Sequence, residues 1–139
     1  MAAGEREQSA KVALVLVDHG SRNAQANAAL HAAAALVEAR SGGRYIAVLP
    51  AHMEIAAPGI EEAVASAAAA GATVVVVALY FLSPGRHSSH DVPALAARAA
   101  ANHPGLRVVV TECLGPDDAL ADLVLERAAR ALAAGDVDG

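Results

Sequence analysis

Two short segments of this chain place histidine beside glycine, serine and arginine. The first reads Asp18-His19-Gly20-Ser21-Arg22. The second reads Ser83-Pro84-Gly85-Arg86-His87-Ser88-Ser89-His90-Asp91. Neutral imidazole is a common nitrogen ligand for Fe, Co, Ni and Zn, and it can take up a proton near neutral pH. Two such histidines without a cysteine cluster suit an open site of low coordination that can hand a metal on; a closed structural site wants four protein ligands. Arg22 and Arg86 stand directly beside His19 and His87, and guanidinium binds carboxylates in bidentate fashion. Ser21 lies at the start of a helical stretch, whose amino end adds a preference for anions.

A third segment, Pro50-Ala51-His52-Met53-Glu54, adds a carboxylate. In an extended stretch His52 and Glu54 project to the same side, since side chains alternate with period two. Glu54 then has two readings: acceptor of a proton or attractor of a cation, and complement to the amino end of the next helix. His52 is read as a packing or supporting residue, and His90 as either a substrate contact or a solvent-facing one. Asp91 is read as the cap of the helix that follows. His31 and His103 are placed on the surface, and Cys113 is read as a small buried residue.

Four apolar, β-branched runs must carry these segments: Val12–Val17, Tyr45–Leu49, Thr73–Leu79 and Arg107–Val110. The third holds four consecutive valines and predicts a strand covered on both faces. Helical patterns run from Arg22 to Arg40, from Ile60 to Ala70, from Val92 to Asn102, and from about Asp117 to Ala133. The last turns Leu120, Val124 and Ala128 inward. Alternation of strand and helix predicts an α/β domain, a four-stranded parallel sheet flanked by helices and flavodoxin-like in strand order. Ligands of such sheets bind beyond the carboxyl ends of the strands, where both histidine loops emerge. If strands one and three are neighbours, His19 and His87 can face each other across the crevice.

The 139 residues are read as one domain, with 1–11 and 134–139 as flexible tails. The net charge of −5 and an aromatic content of 2% argue against nucleic-acid binding, which needs a basic footprint or a stacking platform. No apolar run reaches the length of a membrane span, and the first eleven residues lack the apolar core of a secretory signal. A lone cysteine excludes an internal disulfide framework. Together these predict a cytoplasmic protein.

The segments His19-Gly20-Ser21-Arg22, Pro50-Ala51-His52-Met53-Glu54 and Tyr80-Phe81-Leu82-Ser83-Pro84-Gly85-Arg86-His87, followed by Asp91-Val92-Pro93, resemble the short sirohydrochlorin chelatase family. The likeness runs from about Val12 to about Leu125 with the motifs in order. The resemblance implies a chelatase-like half-domain that pairs as a homodimer. It also implies insertion of Fe²⁺ or Co²⁺, with Ni²⁺ a further candidate, into a sirohydrochlorin-type tetrapyrrole for sirohaem or cobalamin. By motif position His19 and His87 correspond to the pair that binds metal and accepts protons; the reading of the residues themselves adds Glu54 as their catalytic partner. Arg22, Arg86, Ser21 and His90 are then candidates for holding the substrate. Some plant-type relatives carry a cysteine-rich tail for an iron–sulfur cluster; with Cys113 alone, no cluster is expected here.

Two other functions compete. A strand-end Asp-His-Gly loop followed by Arg22 is similar to phosphohistidine phosphatases, but that reading leaves Gly85-Arg86-His87 without a reason and lacks the usual Arg-His-Gly order. A non-catalytic carrier of metal or tetrapyrrole needs the same open pair of histidines as a chelatase.

Overall fold

A computed structural model of the chain describes residues 10–135, except for the side chains of His87 and Ser88. Most of the two predicted tails therefore lies outside the described residues. The chain alternates β1 (Val12–Asp18), α1 (Ala24–Arg40), β2 (Ala47–His52), α2 (Ile60–Ala69), β3 (Val74–Leu79), α3 (Val92–Ala101), β4 (Arg107–Val110) and α4 (Asp118–Ala133). All strand pairs are parallel, in the order β2-β1-β3-β4. Strands one and three are neighbours, as the flavodoxin-like reading requires. No described helix is long and apolar enough to cross a membrane.

Punctuation in the sequence sets the helix ends. Asn23 caps α1 by accepting the Gln25 amide at 2.8 Å, and Asp117 caps α4 through the Ala119 amide at 2.8 Å. The second strand lies further along the chain than the β-branched run Tyr45–Leu49 indicates and includes Pro50. Its place at the edge of the sheet explains this, because a proline there costs only a donor that no neighbour needs.

One face of the sheet is dry. Val15 and Val17 of β1, Val75 and Val77 of β3, and Ile60, Val64, Val92 and Ala96 of α2 and α3 form one buried cluster. Each such valine stabilises the fold by about 1.5–3 kcal/mol relative to an exposed one. On the other face α1 covers β1 and β2 through Leu30 and Ala34, which pack with Leu14, Leu16 and Val48.

The covering stops there. β3 alternates instead of being buried on both faces: Val75, Val77 and Leu79 are buried, whereas Val74, Val76 and Ala78 are only partly so. The helix expected over them, α4, has no buried residue, and Val124, Leu125 and Leu132 are 67%, 68% and 65% exposed. The inward turn predicted for Val124 and Ala128 does not occur within this chain; Leu120 alone is partly buried. The periodicity of α4 shows that one of its faces is apolar, and α4 does not lay that face on its own sheet.

Candidate functional site

β1 and β2 run in parallel until Asp18 pairs with His52. Their ladder continues into the loops, with the Met53 amide donating to the Asp18 carbonyl at 2.8 Å and the Glu54 amide to the His19 carbonyl at 3.2 Å. That pairing brings the two loops together. His19 Nε2 lies 3.2 Å from Glu54 Oε1, and both side chains reach solvent, at 43% and 54% exposure. His19 Nδ1 also faces the Gly20 carbonyl at 3.3 Å. Both ring nitrogens of His19 thus face an oxygen acceptor.

Local chain geometry fixes this pair. Gly20 has φ +93°, and a Cβ there would overlap the Glu54 carbonyl oxygen, so only glycine permits the approach of the two loops. Asn27, one turn into α1, clamps the first loop: its Oδ1 accepts the Ser21 amide at 3.0 Å and its Nδ2 donates to the Ser21 carbonyl at 2.7 Å. The Ser21 hydroxyl accepts the Asn23 amide at 3.0 Å and retains its own O–H to donate.

His52 and Glu54 do not share a side. The strand ends at His52, and Ile55 adopts φ 75°, a positive value rare for a β-branched residue. Period two fails one residue earlier, at Glu54: the consecutive amides of Met53 and Glu54 both turn toward the β1 side, where a regular strand offers only alternate ones. His52 is fully buried, with Nδ1 2.6 Å from Asp18 Oδ1, whereas Glu54 turns out to His19.

The second histidine loop follows β3. His87–Asp91 forms a wide π-helical turn that runs directly into α3. Such turns arise where an extra residue is inserted into a helix, often at functional sites. Asp91 sits in that turn with helical backbone angles and makes no side-chain cap, contrary to the capping role read from sequence. Arg86 and His90 are exposed, as is Arg22 on the first loop. Neither arginine has an ion-pair partner among the described residues. The backbone of His87 lies on the same rim as His19, one strand away, and its side chain lies outside the described residues.

Two clefts open on this rim. One of ≈ 340 Å³ is lined by Met53, Glu54, Asp91, Ala94 and Leu95. A wider one of ≈ 450 Å³ opens beyond β3 and β4, with Thr111, Glu112 and Cys113 in its wall. Cys113 is only partly buried there, its Sγ donating to the Gly115 carbonyl at 3.2 Å. Sequence reasoning did not single out Asp18, Asn27, Thr111 or Glu112. Among the described residues no three of His, Cys, Asp or Glu gather into a closed metal site.

Fold and site thus define a class: a parallel α/β half-domain with an open, solvent-facing histidine–carboxylate pair at the carboxyl rim of its sheet. Comparison with known proteins makes the class specific. The CbiX family model matches residues 13–131, and the chain belongs to the CbiX family. It is 40% identical over 114 residues to the chloroplastic sirohydrochlorin ferrochelatase of Arabidopsis thaliana, covering 82% of this chain and 50% of that protein. It is 30% identical over 141 residues to a sirohydrochlorin cobaltochelatase of Methanococcus maripaludis, covering 84% of this chain and 96% of that one. The fold matches the sirohydrochlorin chelatase SirB of Bacillus subtilis subspecies spizizenii in complex with cobalt, with a TM-score of 0.78 and 27% identity; the match covers 86% of this chain and 50% of SirB. The chain therefore spans half the length of the plant enzyme and of SirB, and nearly the full length of the archaeal enzyme.

Proposed function

We propose that this protein inserts a divalent metal, Fe²⁺ or Co²⁺, into a sirohydrochlorin-type tetrapyrrole. The observation that carries the proposal is the 3.2 Å contact between His19 Nε2 and Glu54 Oε1 at the rim of the sheet. Metal insertion requires two pyrrole N–H protons to leave as the cation enters, so a base and a metal donor must lie close together. His19 and His87 each give a ring nitrogen first to the metal and then, once it has entered the macrocycle, to one of the two pyrrole protons, with the Glu54 carboxylate beside His19. His87 is assigned as the second ligand, which the adjacency of β1 and β3 supports. Arg22 and Arg86, exposed beside the two loops, hold substrate carboxylates that an acidic protein would otherwise repel, with Ser21 and His90 as further contacts. The choice between iron and cobalt is assigned to supply in the cell, since imidazole accepts both.

We further propose that two copies pair as a homodimer in the cytoplasm. The apolar face of α4 and the half-covered outer face of β3 support pairing, because a second copy would cover both. So does the twofold length of SirB.

The test is to mix the protein with sirohydrochlorin and Co²⁺ or Fe²⁺ and follow the absorbance change on metallation. A rate above the uncatalysed background is expected. Tight binding of both components at the background rate would instead identify a carrier.

A further inference from the structure

His52 is the one buried polar side chain among the described residues, with 0% of its surface exposed. A histidine in a core needs a reason, and its neighbours supply one. Its ring donates Nδ1–H to Asp18 Oδ1 at 2.6 Å, on the last rung where β1 pairs with β2. Its backbone amide donates to the Pro58 carbonyl at 2.8 Å, which closes the loop 53–58 that carries Glu54. The His31 ring of α1 packs against it, centroid to centroid 5.8 Å and tilted by 34°. Nε2 finds no hydrogen-bond partner among the described residues, so the only polar work of the ring is done toward Asp18.

The rung lies directly beneath the site. His19 is the residue after Asp18, and Glu54 is two residues after His52. A Cβ on Gly20 would overlap the Glu54 carbonyl oxygen and crowd the His52 Cβ, so the two loops meet closely at this glycine. Ile55 holds a positive φ with its side chain 59% exposed, so its own packing does not enforce that conformation. A bend of this kind persists only where its surroundings over-determine it. His52 ties one end of the bend to β1 and the other to Pro58.

We propose that Asp18 and His52 are a positioning pair, which sets the contact between His19 and Glu54 without touching metal or macrocycle. The inference rests on the proposed metal insertion only for its rate readout. Hydrogen bonds to the residues that orient a metal site are worth about 10–100-fold in affinity or activity.

The experiment compares wild type with Asp18→Ala, Asp18→Asn, His52→Asn and His52→Gln, measuring Co²⁺ affinity by visible absorbance, metallation kcat and KM for metal, and thermal stability. Asn carries its amide nitrogen where His carries Nδ1, whereas Gln carries it where His carries Nε2. Folded Asp18→Ala and His52→Gln are expected to lose about 10-fold or more in kcat and in Co²⁺ affinity. Asp18→Asn and His52→Asn, which keep the acceptor and the donor in place, are expected to recover most of that loss. A purely structural role predicts lower melting temperatures, in the order of the cavities made, with unchanged kcat and KM in the folded fraction; that result overturns the proposal. If Asp18→Ala does not fold, the contrast between His52→Asn and His52→Gln decides the matter. If the wild type binds Co²⁺ but does not metallate, the chelatase reading fails, and the Co²⁺ affinities alone decide the positioning role.

Discussion

The two halves of the sheet's carboxyl rim are built differently. Beyond β1 and β2 the loops are held by a continued backbone ladder, by Asn27, by the buried His52 and by the close approach of Gly20 to Glu54. Beyond β3 and β4 the chain coils into a π-helical turn with exposed Arg86 and His90, opens a wide cleft and ends in a helix with no buried residue. One half is pre-organised and the other is left open. For the proposed reaction, which exchanges a metal for two protons inside a large, flat macrocycle, the division is physically sensible. The base and its carboxylate must be fixed to within a fraction of an ångström, and a broad substrate needs an entrance.

Changes to the ordered half should have the largest effects. Gly20→Ala is expected to force apart the His19 and Glu54 loops, lowering stability by about 1–3 kcal/mol and metallation by about 100-fold. Thermal unfolding and steady-state rates read the two effects separately. Wild-type values for both would show that the rim is softer than its contacts indicate. Glu54→Gln preserves shape and removes the carboxylate beside His19, and about a tenfold fall in kcat is expected on the proposed mechanism, with little change in melting temperature.

Smaller effects are expected from the open half and the exposed arginines. Arg22→Ala or Arg86→Ala should raise KM for the tetrapyrrole about fivefold, the effect of one exposed ion pair of about 1 kcal/mol, while leaving kcat intact. A fall in kcat with unchanged KM would place these residues in the chemistry instead. The smallest effect on the folded chain is expected from Val124→Asp on α4, within about 0.5 kcal/mol of wild type, because this residue is 67% exposed. The same substitution should convert a dimer to a monomer in analytical ultracentrifugation. A dimer that survives it would place the interface elsewhere.

The comparison also explains what was legible in the sequence. Strand and helix positions follow from apolar periodicity and from the glycines Gly42–Gly43 and Gly71 that end two of the helices, and the histidine loops follow from the rule that ligands sit at strand ends. Periodicity says that a face is apolar; it does not say which surface covers it, so α4 reads as packed when it stands exposed. Period-two reasoning placed His52 and Glu54 on one side, and it fails because the strand ends at His52 and the next two amides both turn toward the β1 side, an irregularity no pattern of side chains announces. The Asp18–His52 bond joins residues 34 apart in sequence, and only the register of β1 on β2 brings them onto one rung. Two polar residues at the carboxyl ends of two adjacent strands were the one signal that could have pointed to it.

The central claim is that His19, with Glu54 behind it, is a working base and metal donor on the ordered half of the rim. Its most direct test is the initial rate of Fe²⁺ and Co²⁺ insertion into sirohydrochlorin by wild type, His19→Ala and His87→Ala at equal concentrations of folded protein. The account predicts rates above background for wild type with at least one metal, and a loss of about 100-fold or more in each variant. Full activity in both variants would contradict it.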